Sequence, residues 1–327
     1  MRAVQVAELS GPGSALRVAE VGAPTLSPMF AGDQPVVVDV HAAGVSFPEV
    51  LQTRGQYQYQ PPLPFTPGSE VAGVVVEAPE GSGLAAGDRV AAFCGTGGWA
   101  EQVVAPASLT FRLPDHMSYA EGAGFVLNYH TAHFGLVTRG QLAEGERVLV
   151  HGAAGGLGSA AVDLASALGA EVVAVVSSDE KAELARACGA ADVLRAGTWK
   201  AELDERHPDG VDVVIDPVGG AVMTDSLRSL RPLGRHVVLG FAGGEIPEVK
   251  ANRLLLRNIS VVGAGWGAYA LAHPELSREV QAELEPLLQE RRIMPRVGVT
   301  YPWEDAALAL ADIDERRALG KVVLLVR

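Results

Sequence analysis

Cysteine is almost absent from the sequence, which contains only Cys94 and Cys188 in 327 residues. A disulfide framework is therefore excluded, and neither cysteine belongs to a C-x-x-C pair of the kind that builds structural zinc sites. We interpret both as small buried hydrophobic residues of a protein that works in a reducing compartment.

Positive charge is also scarce, because 26 lysines and arginines face 39 aspartates and glutamates, which gives a formal net charge of -13. Such a surface repels phosphate backbones and anionic lipid, so neither nucleic acid nor a membrane is an expected partner. The start of the chain predicts no signal peptide, and apolar stretches of about 10 residues are too short to span a bilayer. We therefore expect a cytoplasmic protein.

The first 120 residues are rich in β-branched residues and are interrupted by glycine and proline. Strands are predicted at residues 36–40, 71–76 and 89–93, which indicates a compact β-rich module of the barrel or sandwich type. The pattern changes near residue 120, where alanine and leucine predict a helix over 119–139.

Strands and helices alternate beyond residue 140, which predicts a doubly wound parallel α/β sheet. The predicted strands lie at residues 147–151, 171–176, 192–194, 211–215, 236–239 and 259–262. The tail departs from this alternation, with helices predicted at 274–292 and 303–317 and strands at 296–301 and 321–326. We expect the tail to return to the first domain.

A glycine-rich turn at residues 152–158 joins the strand at 147–151 to a predicted helix. Small residues let the backbone approach a dinucleotide pyrophosphate, whose charge is stabilised by free N–H groups and the helix dipole. Ala153 stands at the first glycine of the usual G-x-G-x-x-G pattern. The candidate ligands in the turn are Gly152, Ala153, Ala154, Gly155, Gly156 and Leu157.

The end of the second strand of this α/β unit indicates which dinucleotide binds. NAD-specific sites carry a carboxylate there for the ribose 2′-hydroxyl, whereas this sequence has Ser177 and Ser178, followed by Lys181. Two hydroxyls and an ammonium suit a 2′-phosphate and favour NADPH. Asp179 and Glu180 argue the other way, and we interpret them as favouring the first turn of a helix.

Several motifs follow one another in order along the chain. They lie at residues 43–48, 54–57, 63–73, 152–158, 177–181, 216–220, 240–244 and 263–267. As a set they resemble the zinc-independent quinone oxidoreductase branch of the medium-chain dehydrogenase/reductase superfamily, the branch that includes zeta-crystallin, over essentially the whole chain.

This resemblance implies a GroES-like catalytic domain of residues 1–122 and 268–327, interrupted by a Rossmann NADPH-binding domain of residues 123–267. It also implies an active site in the cleft between the domains and a homodimer joined through the edge strand near 259–262. The further cofactor-binding residues that we expect from it are Phe47, Asn128, Thr131, Val218, Gly240, Phe241 and Trp266. Phe47 and Trp266 are equally compatible with ordinary core packing.

The zinc ligands of other superfamily members have no counterpart here. Motif alignment places Ser46 at the cysteine position and Ser69 at the histidine position, and no cysteine lies near Asn128. A catalytic zinc requires three protein ligands, so we predict no metal site. His130 and His133 share a helix face, but no third ligand accompanies them.

Without zinc, the negative charge that develops on the acceptor oxygen must be stabilised by hydrogen-bond or proton donors. Quinones and other conjugated carbonyl compounds tolerate this, because conjugation delocalises the charge. Tyr57 is the candidate proton donor, with Tyr59 as an alternative, and Ser46 is a candidate polar residue where many quinone reductases have asparagine. An enoyl-thioester or 2-alkenal reductase, and a non-catalytic NADPH-binding protein of the crystallin-like or redox-sensing type, remain as alternatives.

Overall fold

The computed structural model describes residues 1–327, and the contacts within it define two units. The first unit consists of Met1–Leu127, Ala270–Gln289 and Pro295–Arg327, and the second of Asn128–Tyr269 and Glu290–Met294. Most of the tail therefore belongs to the first unit.

The helices and strands are as follows in chain order. The leading segment contains β1 (Arg2–Val6), β2 (Leu16–Glu20), β3 (Pro35–Val45), α1 (Phe47–Gln52), β4 (Glu70–Glu77), β5 (Arg89–Phe93), β6 (Gln102–Pro106), β7 (Thr110–Arg112) and α2 (Tyr119–Gly122). The middle contains α3 (Val126–His133), β8 (Arg147–Val150), α4 (Gly156–Ala167), β9 (Glu171–Val176), α5 (Asp179–Ala187), β10 (Asp192–Arg195), α6 (Trp199–Arg206), β11 (Val211–Asp216), α7 (Val222–Ser229), β12 (Leu230–Val238), α8 (Ala251–Arg257), β13 (Ser260–Gly263) and α9 (Trp266–Ala272). The tail contains α10 (Pro274–Gln289), β14 (Val297–Pro302), α11 (Ala306–Asp314) and β15 (Lys321–Leu325).

The first unit is built on a sheet with the strand order β14-β15-β3-β4-β5-β7, in which β6 also pairs with β3. Every second residue in the first half of β3 is buried, and Val36, Val38 and Val40 pack into the core with Trp99. Residues that alternate in this way, with β-branched side chains on the buried face, favour a half-buried strand. The sheet brings the N-terminal segment and the tail together through β3 and β15.

The second unit is built on a six-stranded parallel sheet with the order β10-β9-β8-β11-β12-β13. Strands β8, β9 and β11 are valine-rich and buried along most of their length, as expected for a parallel sheet covered by helices on both faces. The strand order reverses between β8 and β11, and ligands bind at such a point, beyond the carboxyl ends of the strands. The predicted doubly wound parallel sheet is confirmed.

Three predicted elements differ in extent from the observed ones. The helix expected over 119–139 is divided into α2, α3 and a π-helical segment, Phe134–Arg139. β12 begins at Leu230, six residues before the predicted 236, because Leu230 pairs with Val211 ahead of a register shift. The helix expected over 303–317 is the shorter α11, preceded by a 3-10 turn, Trp303–Asp305. No helix in the structure combines the length and the hydropathy needed to cross a membrane.

Candidate active site

The glycine-rich turn connects β8 to α4 at the point where the strand order of the second unit reverses. Gly152 has a φ of +60°, and a Cβ at Gly158 would lie 2.1 Å from the Gly152 carbonyl oxygen. Only glycine fits at position 158, and the turn folds tightly against the start of the helix. The N–H groups of Gly156 and Leu157 lie in the first turn of α4, where no intrahelical acceptor is available. This backbone cradle fits a pyrophosphate.

The end of β9 carries the two predicted serines, both exposed. The hydroxyl of Ser178 accepts a hydrogen bond of 3.3 Å from the Lys181 backbone N–H and so caps α5. The Lys181 side chain is half-buried, and burial lowers its pKa. Ser177 precedes the start of α5, and Lys181 lies in its first turn.

Arg195 is a basic residue at this edge that the sequence interpretation missed. It ends β10, which runs parallel to β9 with Arg195 in register with Val176. Its guanidinium forms an ion pair with Asp179, one of the two carboxylates that argued against NADPH. Parallel strands end at the same edge of a sheet, and this is the rule by which Arg195 could have been found.

Asp216 ends β11 and fixes the loop that follows. Its Oδ1 accepts hydrogen bonds from the backbone N–H groups of Val218 at 2.8 Å and Gly219 at 2.9 Å, and its Oδ2 lies 3.0 Å from His236 Nε2. Asp216 and His236 are fully buried. Burial by itself raises the pKa of Asp216, but the His236 hydrogen bond and the charges of His151 and His236 hold it below the usual value.

The loops that follow β11 and β12 are joined by backbone hydrogen bonds. Backbone N–H groups at Ala242 and Gly243 donate to the carbonyl oxygens of Pro217, at 3.0 Å, and Val218, at 2.7 Å. Gly219 has a φ of +68°, and a Cβ there would lie 2.8 Å from the Phe241 ring. The predicted residues Val218, Gly240 and Phe241 thus belong to one pair of loops at the carboxyl edge of the sheet.

Helix α3 carries the two predicted polar residues, of which Asn128 is buried and Thr131 is half-buried. His130 on the same helix packs edge-on against Trp266, with ring centroids 5.6 Å apart, and both are buried. Trp266 therefore belongs to the packed core around α3. His133 is buried as well.

Glu49 organises a second group of polar residues, in the first unit. Ser46 precedes α1, and its backbone N–H donates to Glu49 Oε2 at 2.9 Å, which completes a capping box. The other carboxylate oxygen accepts from Ser69 twice, from the backbone N–H at 3.0 Å and from the hydroxyl at 2.7 Å. Burial raises the pKa of Glu49, and the hydrogen bond from Ser69 opposes the rise.

Lys321 lies on the other side of Ser46. Strand β15 runs antiparallel to β3 with Val322 opposite Val45, so the next pair in the register is Lys321 and Ser46. Lys321 Nζ donates to Ser46 Oγ at 2.8 Å and forms a short ion pair with Glu70. Glu70 Oε2 also accepts from the Leu127 N–H at 3.0 Å, and burial raises the pKa of Glu70 against the opposing effect of Lys321.

Tyr57 and Tyr59 lie in a segment without regular structure. Tyr57 is half-buried, and burial raises its pKa, with a further rise from the negative charge of Glu49. The Tyr59 hydroxyl lies 3.5 Å from Ser27 Oγ instead. Phe47, the first residue of α1, is half-buried against the core of the first unit.

The serines at the two zinc-ligand positions have other bonding partners. The hydroxyl of Ser46 accepts from Lys321, and that of Ser69 donates to Glu49. No group of three or more histidine, cysteine, aspartate or glutamate side chains in residues 1–327 has an arrangement that could hold a metal ion. The side chains present at these positions do not fit zinc, since an ammonium lies against one of them.

Glu49, Glu70 and Lys321 were not assigned a role from the sequence. Glu70 belongs to the quoted motif at residues 63–73, and its burial, at 1% exposure, was the missing information. Lys321 is 275 residues from Ser46, and no local pattern relates the two.

Comparisons with known proteins agree with this architecture. Residues 32–115 match the family described as "Alcohol dehydrogenase GroES-like domain", and residues 156–285 match the family "Zinc-binding dehydrogenase". The chain is 39% identical to quinone oxidoreductase-like protein 2 of Rattus norvegicus, over 100% of this chain and 92% of that protein.

Solved structures extend the likeness to the whole fold. A probable oxidoreductase from Mycobacterium abscessus superposes with a TM-score of 0.89 at 42% identity, covering 99% of this chain and 98% of that one. A quinone oxidoreductase from Thermus thermophilus, solved also in complex with NADPH, superposes with a TM-score of 0.83 at 34% identity, covering 100% of both chains. The chain belongs to the medium-chain dehydrogenase/reductase superfamily, in the branch of the quinone oxidoreductases and their relatives.

Proposed function

We propose that the protein reduces quinones or other conjugated carbonyl compounds with NADPH and without zinc. One observation carries the proposal: the two positions that hold zinc ligands in other superfamily members are Ser46 and Ser69, which are bonded to Lys321 and Glu49. The likeness to a quinone oxidoreductase that forms a complex with NADPH supports the same reaction.

The second unit binds NADPH in this proposal. The cradle at residues 152–158 receives the pyrophosphate, and the paired loops after β11 and β12 receive the nicotinamide half, together with Asn128 and Thr131 of α3. Ser177, Lys181 and Arg195 bind the 2′-phosphate, because a guanidinium and an ammonium at one sheet edge suit a dianion better than a ribose hydroxyl. When bound, NADPH supplies a hydride to the acceptor.

Residues of the first unit then stabilise the negative charge that develops on the acceptor oxygen. Tyr57 gives a proton to the reduced product, since a phenol that is kept protonated by burial and by a neighbouring carboxylate remains a donor at neutral pH. The Ser46 hydroxyl gives a hydrogen bond to the same oxygen. Neither group is strong enough to activate a saturated alcohol, so conjugated acceptors are the substrates.

A screen of NADPH and NADH oxidation across quinones, 2-alkenals and enoyl-CoA thioesters tests the proposal. We expect turnover with quinones or enones, a preference for NADPH of at least about 10-fold in kcat/KM, and no loss of rate after treatment with a metal chelator. Turnover confined to enoyl-CoA would move the assignment to an enoyl-thioester reductase. Tight binding of NADPH with no turnover of any acceptor would favour a binding protein.

We also infer a homodimer that forms through β13. This strand is the outer strand of the parallel sheet, and its free edge offers unpaired backbone groups for strand addition. Large apolar side chains are exposed in the same unit, at Leu233, Ile246, Leu255 and Leu256. Sedimentation equilibrium tests the inference: a dimer of the 34.1 kDa chain is expected, and Val261→Pro should give monomers.

A further inference from the structure

Lys321 is buried to an extent that is unusual for a lysine. Its side chain is 3% exposed, and that of its partner Glu70 is 1% exposed. Two glycines provide the space, because a Cβ at Gly124 would lie 2.9 Å from Lys321 Cγ and a Cβ at Gly44 would lie 2.7 Å from Glu70 Cγ. Neighbouring segments are thus shaped around this ion pair.

Stability alone does not account for such a pair. Two buried charges lose so much hydration that well-packed apolar side chains of similar volume often give an equally stable protein. The pair differs from a simple structural ion pair in having a third member, the Ser46 hydroxyl, 2.8 Å from Lys321 Nζ. Ser46 is only half-buried, whereas Lys321 and Glu70 are buried.

The direction of the hydrogen bond between Lys321 and Ser46 is determined by chemistry. An ammonium carries only donors, so Ser46 Oγ must be the acceptor. The serine proton then has to point elsewhere, and no group in residues 1–327 accepts it. A hydroxyl that accepts a charge-assisted bond is also a stronger donor, because successive hydrogen bonds polarise one another.

We propose that Lys321 is a positioning residue that orients the Ser46 hydroxyl as a hydrogen-bond donor to the negatively charged oxygen of the acceptor. The buried ammonium, acting through the serine, takes the electrostatic role that a zinc ion has in metal-dependent dehydrogenases. Glu70 holds the ammonium in place and is itself held by the Leu127 N–H. This inference rests on the proposed reduction of conjugated carbonyl compounds.

A double-mutant cycle on kcat tests it, with 1,4-naphthoquinone as acceptor and saturating NADPH. Ser46→Ala and the paired change Lys321→Met with Glu70→Gln are made singly and together, so that no variant leaves one buried charge without its partner. Ser46→Ala should lower kcat by about 10²-fold, as removal of an oxyanion donor does. The paired change at Lys321 and Glu70 should lower kcat about 10-fold when Ser46 is present and less than 2-fold when it has been replaced.

The KM for NADPH should change by less than 2-fold in every variant of the cycle. An unchanged KM separates the proposed positioning role of Lys321 from a purely structural one. Arg235→Met removes a partly buried ion pair with Glu146 in the other unit and serves as the control for lost stability without lost chemistry. Equal losses of kcat from the paired change with Ser46 present and with Ser46 replaced would overturn the inference while leaving the proposed function intact. A parent protein that reduces no quinone or enone at all would overturn the proposed function itself.

Discussion

Each unit buries a cluster of polar side chains at one end of its sheet, and the two clusters differ in where their hydrogen bonds end. In the first unit the chain of bonds runs from Glu70 through Lys321 to the hydroxyl of Ser46, which is a half-buried residue. In the second unit it runs from His236 through Asp216 to the backbone of residues 218 and 219. A cluster that ends in a side-chain hydroxyl can act on a substrate, whereas one that ends in backbone N–H groups fixes a loop.

The two clusters also differ in charge. The cluster of the first unit holds two carboxylates and one ammonium, all buried. The cluster of the second unit contains histidine side chains where the first has a lysine. Burial lowers the pKa of the fully buried His151 to about 4, so its ring is neutral at physiological pH. His151 Nε2 lies 2.8 Å from Ser226 Oγ. The proposed function accordingly places the reaction chemistry in the first unit and the positioning of the cofactor in the second.

The largest effect is expected at the cradle of the second unit. Gly158→Val would place a side chain 2.1 Å from the Gly152 carbonyl oxygen and force the turn open. NADPH affinity, measured by fluorescence titration, should fall at least about 10²-fold, since the backbone N–H groups no longer converge on the pyrophosphate. Gly197→Ala, where a Cβ meets nothing within 4 Å, is the matched control and should bind normally. Normal binding by the Gly158 variant would remove the turn from the site.

The next effect is expected in the first unit. Tyr57→Phe removes the proposed proton donor and should lower kcat on enones by about 10²-fold without changing the dissociation constant for NADPH. Tyr59→Phe is the control, because its hydroxyl lies beside Ser27. If Tyr57→Phe reacted as fast as the parent, Tyr57 would have only a packing role.

Cofactor selectivity should change by a smaller factor. Arg195→Ala and Lys181→Ala each remove one cation from the proposed 2′-phosphate site and should lower kcat/KM for NADPH about 10-fold while leaving that for NADH within 2-fold. Arg206→Ala, on the exposed side of α6, removes a cation from the same unit and serves as the control. Equal losses with both cofactors would contradict the assignment.

The smallest effect concerns stability and pH. The folded-state pKa of His151 lies below the ordinary value of 6.5, so the unfolded chain binds a proton first as the pH falls. The stability that the neutral ring contributes is complete above pH 6.5 and is lost as the pH falls toward 4, by about 1.4 kcal/mol per pH unit. Urea unfolding at pH 7.0 and 5.5 should show a drop that is about 1 kcal/mol smaller in His151→Gln than in the parent. Identical drops would mean that His151 titrates normally in the folded protein.

The sequence predicted the parallel sheet well, because its strands are continuous valine-rich runs that are bounded by glycine and charged residues. Short strands such as β1, β2, β6 and β7 were not predicted, since each lacks enough alternating residues to stand out from its neighbours. The single helix expected over 119–139 is interrupted between α2 and α3, where Ala123–Phe125 leave the helical path near Gly124.

The candidate site was predictable only where its residues are close in sequence. The turn at residues 152–158 and the pair Ser46 and Ser69 could be identified by motif. The contact between Ser46 and Lys321 depends on how β15 pairs with β3, and a shift of one residue in that register would turn Lys321 to the other face of the sheet. Long-range register of this kind has no local signature.

A crossed comparison of Ser46→Ala and Asp216→Asn tests the central claim most directly, with kcat and the dissociation constant for NADPH measured for both. The account predicts that Ser46→Ala lowers kcat by about 10²-fold with NADPH binding unchanged. Asp216→Asn weakens the hydrogen bonds that fix the loop after β11. It should raise the dissociation constant for NADPH about 10-fold, with kcat within 3-fold of the parent. If Ser46→Ala instead weakened NADPH binding and Asp216→Asn lowered only kcat, the division of labour between the two units would be wrong.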